Sequence, residues 1–442
     1  MATPEADRRI VRKLDLLLIP VMGLCYMMQY MDKLALSQAT MFNLREELLS
    51  SYLMVRLPLG KYITATVLVW GGVLMCHAAV RSFGGLLAVR FFLGVGEAAI
   101  APGFALITGM LYKREEQPAR QAAWFFGNCV STIIGGVVAY GLGTVEGTTV
   151  KSWQLLFLVL GTITAGMAIW LIFLLPDSPR KIIFLSKEGR EIVVQRTLTN
   201  KTGVNDTNDF NSWQVWLALR DPQTWFLALY TFCVNLWNGG VTSFSSIIIN
   251  SFGFTQLNSL LMQMPMGASQ IVFLILSAAI ATFIPHTRLL MMIFNTLVSM
   301  AGSILVWKLE ADNQVGRMVG LTLGAVFAVN IPLSLSIISS NVAGFTKRSV
   351  ISALMFVAYC VGNIVGPQLF ITAEEPGYPV TSISGLALGA FFLACLLVYY
   401  VLENRRRDAR YGPPTQLTEE EERAQGLSDK TDLEIESFRY LI

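Results

Sequence analysis

The sequence predicts an all-α integral membrane protein built from two helical bundles, and three observations predict it. The first is composition. Of 442 residues, 54% are apolar and only 14% are charged, and the mean hydropathy is +0.55. A soluble domain carries about 25% charged residues, so this chain has too few charges to coat itself in water. That excludes a soluble enzyme, a nucleic-acid binder and a disordered scaffold. The second observation is that apolar runs of about 20 residues, the length of a helical span, recur along the chain. The third is that Lys and Arg concentrate in alternate connections, which marks the cytosolic side.

The first run, 14–36, follows a basic N-terminus with Arg8, Arg9, Arg12 and Lys13 and is too long for the apolar region of a cleavable signal peptide. Four more follow at 62–80, 85–111, 121–144 and 153–175. A polar stretch, 177–222, holds Arg180, Lys181, Lys187, Arg190, Arg196, Lys201 and Arg220. Six runs come after it, at 223–247, 259–284, 288–307, 316–338, 350–372 and 384–402, which makes eleven. The charged tail begins with Arg405, Arg406, Arg407 and Arg410, and its acidic end, Glu419 to Glu422, reads as disordered.

The connection with Lys113, Arg114 and Arg120 reads as cytosolic, as do the long linker, the His286/Arg288 and Lys347/Arg348 loops and the tail. The alternate connections are poor in positive charge: 248–258 has none, and 373–383 carries Glu374 and Glu375. This alternation holds from residue 62 onward and fails before it. The N-terminus and residues 56–61, with Arg56 and Lys61, both read as cytosolic, yet a single span separates them. The segment 37–61 carries Arg45, Glu46, Glu47, Arg56 and Lys61 and has no uncharged stretch longer than eight residues. Each charge at mid-membrane costs about 2.5–3.5 kcal/mol on insertion scales, so no span forms there. Either the first helix enters the membrane abnormally, or the chain is a deletion form of a twelve-span ancestor with one early helix missing.

The linker divides the chain into a bundle at 1–176 with five spans, a cytosolic segment at 177–222, a six-helix bundle at 223–402 and a cytosolic tail at 403–442. The halves echo each other. Pro102, Lys113-Arg114 and Gly127-Asn128 in the first are matched by Pro332, Lys347-Arg348 and Gly362-Asn363 in the second, with Arg-to-Gly spacings of 13 and 14. Parallel halves joined by a cytosolic linker are the arrangement of the major facilitator fold, with substrate near the midplane between them.

Several stretches resemble the fungal allantoate permease family, in the anion:cation symporter branch of the major facilitator superfamily. They include RKLDLLLIPVMGLCYMMQYMDKLALSQA at 12–39, RFFLGVGEAAIAPGF at 90–104, YKREEQPAR at 112–120 and LPDSPRKIIFLSKE at 175–188. DPQTW at 221–225, NGGVTSFSSIIINSFGF at 238–254, NVAGFTKRS at 341–349 and GNIVGPQLF at 362–370 continue the resemblance. It implies a proton-coupled transporter of small organic anions such as allantoate, ureidosuccinate, nicotinate, pantothenate or biotin. It also implies a multi-pass monomer in the plasma membrane with both termini cytosolic, partnered by lipid, protons and the anion, with no nucleic acid and no cofactor. Family members place about one span of residues between the equivalents of Ser50 and Ser51, whereas here NLREELLS runs straight into SYLMVRLPLGKY. The gap falls where the charge alternation fails.

Arg90 and Glu97 are seven residues apart on one helix. Seven residues are two turns and about 10 Å, so both fall on one face. Charges inside a span face a water-filled path by default. The resemblance makes Arg90 an anion-binding and Glu97 a proton-coupling residue. A guanidinium grips a carboxylate through two bonds, and a Glu in a span can take and release a proton. An ion pair within the protein, or an Arg reaching to the interface, is the alternative. Asp32-Lys33 closes the first span with the acidic-basic pattern of related symporters, where the Asp takes part in proton coupling; an ordinary helix-end pair is the alternative. Asp15, Lys33, Lys347 and Arg348 are placed at gates or loops.

The second half offers amides where the first offers charges: Asn235, Asn238, Asn295, Asn330 and Asn363, with Tyr359 beside them. Amides orient a polar ligand without desolvating a full charge, or simply bond across helices. Asn238, Asn363 and Tyr359 are the favoured substrate contacts, and Asn238 precedes Gly239-Gly240, where a helix can break and expose backbone. Gly94, Gly96, Gly103, Gly135, Gly136, Gly362 and Gly366 suit close helix packing, and Trp70, Trp124 and Trp153 suit packing or the lipid interface.

The six cysteines lie in apolar runs without metal-ligand spacing, and His77 and His286 have no metal or nucleophile constellation around them. No metal site is expected, and no phosphate-binding loop of the form G-x-x-x-x-G-K-[ST] occurs. Export of a fungal metabolite is a second reading, although the Gly-Pro that precedes such paired glycines in exporters is lacking before Gly135-Gly136. A transport-dead sensor, or a truncated gene-model product, is a third, on account of the missing helix.

Overall fold

A computed structural model describes residues 4–35, 58–97, 100–113, 116–144, 151–198, 211–284, 286–310, 312–370, 379–412 and 430–442. The junction at Ser50–Ser51 and Glu419 to Glu422 lie outside the described residues, as do the N-x-T sequences at Asn200 and Asn205, which fall in the segment read as cytosolic. The described chain is helical, with no strand among the described residues.

The first half holds α1 (Pro4–Ala35), α2 (Leu59–Cys76), α3 (Phe83–Glu97), α4 (Ile100–Leu111), α5 (Gln117–Gly143) and α6 (Ser152–Leu174). Two linker helices follow, α7 (Lys187–Leu198) and α8 (Ser212–Arg220). Then come α9 (Pro222–Ser251), α10 (Gln256–Leu261), α11 (Met264–Phe283), α12 (Arg288–Lys308), α13 (Gln314–Gly324), α14 (Asn330–Asn341), α15 (Phe345–Val365) and α16 (Pro379–Tyr411).

Among the described residues, nine helices are long and apolar enough to cross a membrane. They coincide with nine of the eleven runs expected from sequence. The other two runs, 14–36 and 85–111, are not among these nine. The run at 14–36 belongs to α1, which starts ten residues earlier and takes in Arg8, Arg9, Arg12, Lys13 and Asp15. The run at 85–111 is divided between α3 and α4, on either side of residues outside the description. The run at 316–338 is bent. Pro332 has no N–H to give the carbonyl four residues before it, and the chain tightens to a 3-10 turn at Val326–Val329 before α14. Gly239-Gly240 does not break its helix, since α9 continues to Ser251. A Cβ at Gly239 would lie 2.7 Å from the Asn363 carbonyl oxygen, so the glycine allows α9 and α15 to approach closely.

The buried stripe of α1 runs through Ile10, Leu14, Leu18, Met22, Cys25, Met28 and Asp32. That is the 3.6-residue period of one helix face, with a carboxylate at its end. α1 packs on α5 and α6, and α2 packs on α6 and α3. In the second half α9 packs on α15 and α16, and α12 on α13 and α16. Across the middle, α5 meets α10, α11 and α14, and α1 touches α9. The outward faces of the spans carry exposed apolar side chains such as Ile169, Trp170, Phe173, Ile275 and Phe391, as a lipid-facing surface requires.

Candidate functional site: a central cavity with one acid on its wall

A cavity of about 880 Å³, mouth included, opens where α1, α3, α5, α9, α14 and α15 converge. Tyr26 and Gln29 come from α1, Glu97 from α3 and Trp124 from α5. Tyr230, Thr231 and Asn235 line it from α9, Asn330 and Ser334 from α14, and Phe356 and Tyr359 from α15. Both halves of the chain therefore contribute. Among these lining residues Glu97 is the one carboxylic acid, and no Lys, Arg or His accompanies it. The rest is aromatic rings, amides, hydroxyls and the apolar side chains of Val234, Ile331, Leu335 and Met355.

Glu97 lies on α3 and is 7% exposed. Gln29 donates its side-chain N–H to the Glu97 backbone carbonyl over 3.3 Å. Asp32, one turn further along α1, is fully buried and accepts the indole N–H of Trp70 at 2.5 Å. Its other carboxyl oxygen, Oδ1, has no hydrogen-bond partner among the described residues. Packing explains this geometry: a Cβ on Gly96 would come within 2.9 Å of the Trp70 Cβ, so glycine at this position lets α2 and α3 close up around Trp70.

Asp32 and Glu97 interact electrostatically, and Glu97 interacts in turn with Arg90. Arg90 also feels His77, a buried residue of the 3-10 turn after α2. The first half thus holds a sequence of ionisable groups running His77, Arg90, Glu97, Asp32. Arg90 is not among the residues that line the central cavity, whereas Glu97, two turns further along α3, is.

Four residues singled out in the second half share one hydrogen-bonded chain. Asn238 Nδ2 donates to Asn363 Oδ1 at 2.8 Å, and Asn363 Nδ2 donates to Asn235 Oδ1 at 3.1 Å and to the Tyr359 carbonyl at 2.8 Å. Tyr359 and Asn235 face the central cavity. Asn238 faces a smaller cavity beyond Phe327, lined also by Tyr30, Thr242, Gln263 and Gln270. Asn363 lies between and lines neither. Asn330 reaches the central cavity while bonding deeper: it donates to the Met292 carbonyl and Thr296 hydroxyl and accepts from Asn295, each at 3.0 Å.

Asp15 meets Arg120 through two bonds of 3.1 and 2.8 Å, joining α1 to α5. Lys33 lies on α1, but its side chain is outside the described residues. Lys347 and Arg348 do not sit in a free loop, as the sequence suggested. Both are in the first turn of α15, where Arg348 donates twice to the Val342 carbonyl and Lys347 is fully buried between Asp221 and Asp432. A buried ammonium requires carboxylate partners, and sequence spacing gave no sign of them.

Sequence reasoning assigned Trp70 and Trp124 to packing or interface. Trp70 packs between α2 and α3 and also holds Asp32, and Trp124 lines the cavity. The indole N–H of a buried Trp favours a nearby acceptor; for Trp70 the acid of α1 was the available signal. Tyr26, Gln29 and Tyr230 had no signal beyond their polarity within apolar runs.

The sequence model described as Major Facilitator Superfamily matches residues 47–367. An allantoate permease of Saccharomyces cerevisiae is 31% identical, over 100% of this chain and 87% of its own length. The chain belongs to the Major Facilitator Superfamily, among its fungal allantoate permease-like transporters. An uncharacterized transporter of Schizosaccharomyces pombe is 34% identical over 465 positions, covering 99% of this chain and 88% of the relative. A thiamine pathway transporter of S. cerevisiae is 30% identical, over 99% of this chain and 87% of the relative. The solved inward-facing, occupied structure of a bacterial homologue of the human lysosomal transporter Spinster shares the fold, with a TM-score of 0.53, 16% identity and coverage of 88% of this chain and 96% of that one. This facilitator-family protein is therefore a multi-pass membrane transporter and not an enzyme. The S. pombe alignment runs over 465 positions against 442 residues here, so at least 23 positions of that relative face no residue of this chain.

Proposed function

We propose that this transporter moves a small organic anion together with a proton by alternating access, and that the anion binds in the central cavity. The observation that carries the reading is that Glu97 is the one ionised side chain on the wall of a cavity otherwise made of amides, hydroxyls, rings and aliphatic side chains. Two unit negative charges about 5 Å apart repel by roughly 3 kcal/mol at an effective dielectric constant of 20. An anionic substrate therefore enters readily only when Glu97 carries a proton. Protonation also removes the counter-charge that Glu97 presents to Arg90, so the region gains net positive charge as the anion arrives. Binding and protonation thus favour each other, which is the thermodynamic requirement for symport.

Asp32 is the second proton-coupling residue. Its unpartnered oxygen and its interaction with Glu97 suit a group that exchanges a proton with Glu97. Tyr359 and Asn235 contact the substrate, and Asn238 and Asn363 set their orientation through the amide chain. The carboxylate and ureido groups of an allantoate-like substrate match this mixture of donors and acceptors, and the S. cerevisiae relative carries that substrate's name. The reading places the protein as a monomer in the plasma membrane with both termini cytosolic. Its test is uptake of allantoate into cells expressing the chain at pH 5 and pH 8. Uptake should be faster at pH 5 and lose its pH dependence in Glu97→Gln; pH dependence that survives in that variant contradicts the reading.

A second reading rests on the alignment surplus of at least 23 positions, which is one span's worth of residues. If the surplus falls at Ser50–Ser51, the chain lacks a cavity helix and is transport-dead, or its message carries a further segment. Sequencing transcripts across that junction distinguishes the two.

A further inference from the structure

Residues 430–442 form a compact strap laid across the ends of four helices of the second half, and the bonds that hold it are specific. Lys347 Nζ binds Asp221 Oδ2 at 2.6 Å and Asp432 Oδ1 at 2.8 Å, and all three side chains are 0% exposed. Asp432 also accepts from the Tyr440 hydroxyl at 2.9 Å and from the Ala343 amide at 3.2 Å. The Tyr440 ring stacks on Tyr400 of α16, centroids 4.8 Å apart and planes within 8°. Asn404 exchanges two bonds of 2.9 Å with the Tyr440 backbone, and Asn341 exchanges bonds of 2.7 and 2.8 Å with the Leu441 backbone. Arg407 donates to the carbonyls of Asp432, Ile435 and Phe438. This is not the free tail that the composition of the segment before it suggests.

The helices joined in this way are those that build the cavity. Asp221 caps α9, which carries Tyr230 and Asn235; Asn341 ends α14, which carries Asn330 and Ser334; Lys347 begins α15, which carries Tyr359. The charge arithmetic also matters. One ammonium and the Asp221 carboxylate already balance, so the helices are left with no bare buried charge when the strap leaves. The strap brings the second carboxylate, and it brings Tyr440 as a donor to that carboxylate.

We propose that the cytosolic ends of α9, α14, α15 and α16 form a peptide-binding site whose ligand is the chain's own 430–442 segment. Asp432 is its ionic anchor and Tyr440 its aromatic one, and docking is reversible. When docked, the strap fixes the ends of three cavity-lining helices as a unit. Any rocking of one against another must carry the strap along or release it. The strap is thus a clamp on the conformational cycle, acting from outside the cavity.

Hydrogen–deuterium exchange on the purified full-length protein in detergent tests this. In the wild type, the amides of Glu434, Ile435, Phe438, Tyr440 and Leu441 should exchange at least 10-fold more slowly than an unstructured peptide. In Asp432→Asn their protection should fall to within about 2-fold of the unstructured rate, and exchange at 221–225 and 341–349 should rise at least 2-fold. The helices of the first half, α2 and α6, should be unchanged, which separates undocking from general unfolding. Asn341→Leu keeps the ion triad and should raise exchange only at 438–442 and the last turn of α14. An unprotected strap in the wild type would overturn the proposal. So would a variant that frees the strap without changing the helix ends, because the strap would then be a passenger and not a clamp.

Discussion

The indole N–H of Trp70 points at the carboxylate of Asp32 across 2.5 Å, at a depth where neither side chain is exposed. Asp32 Oδ1 has no partner among the described residues, so this one bond carries the polar satisfaction of the acid. Removing one partner of a buried hydrogen bond costs about 1–3 kcal/mol, and more for a charged group. Trp70→Phe should therefore lower the melting temperature in detergent, and Asp32→Asn in the same background should restore part of the loss. Equal melting temperatures for wild type and Trp70→Phe would show that the bond adds no stability.

Glu97→Gln keeps the shape of the cavity wall and removes its exchangeable proton. Substrate exchange across a membrane with no pH gradient should persist, while accumulation driven by a pH gradient should be lost. Measuring both in the same vesicles separates loss of coupling from loss of binding.

Gly362 faces α9 so closely that an added Cβ would stand 2.7 Å from the Phe232 carbonyl oxygen and 2.8 Å from the Asn235 Cβ. Overpacking of this kind costs about 1–3 kcal/mol. Gly362→Val should lower the melting temperature and weaken substrate binding together, because separating α9 from α15 breaks the Asn235–Asn363 bond. Gly72, with no atom within 4 Å of an added Cβ, supplies the control: Gly72→Ala should leave both unchanged.

Lys347→Met leaves Asp221 and Asp432 buried side by side without their cation. Breaking a buried pair by removing one partner costs about 3–5 kcal/mol, so this variant should accumulate poorly in the membrane. Arg120→Gln opposite Asp15 should be milder, because that pair keeps 20% and 34% exposure and partly exposed pairs contribute about 0–1 kcal/mol. Quantifying both variants by membrane immunoblot gives the ranking.

Most of the fold was legible because span length, hydropathy and charge alternation are local signals. Glu97 and Tyr359 were found at sequence level and stand on the cavity wall, since a charge or hydroxyl within an apolar run is conspicuous. Arg90 was equally conspicuous, yet it does not line the cavity; seven-residue spacing fixes a helix face but not which turn reaches open space. Asn238 and Asn363 pair with each other, a contact across 125 residues that no local pattern encodes. The Asp432–Lys347 contact spans 85 residues and was hidden for the same reason. The bend before Pro332 was accessible from the proline, whereas Gly239-Gly240 misled, because glycine serves close packing as readily as it breaks a helix.

The central claim is that the charge on Glu97 decides whether an anion can occupy the cavity. Its most direct test is proton flux into proteoliposomes carrying a lumenal pH dye, on addition of allantoate, ureidosuccinate, nicotinate, pantothenate or biotin. The account predicts that at least one of these anions acidifies the lumen as it enters, and that Glu97→Gln abolishes the acidification. Anion entry without acidification in the wild type, or acidification that persists in Glu97→Gln, would contradict it.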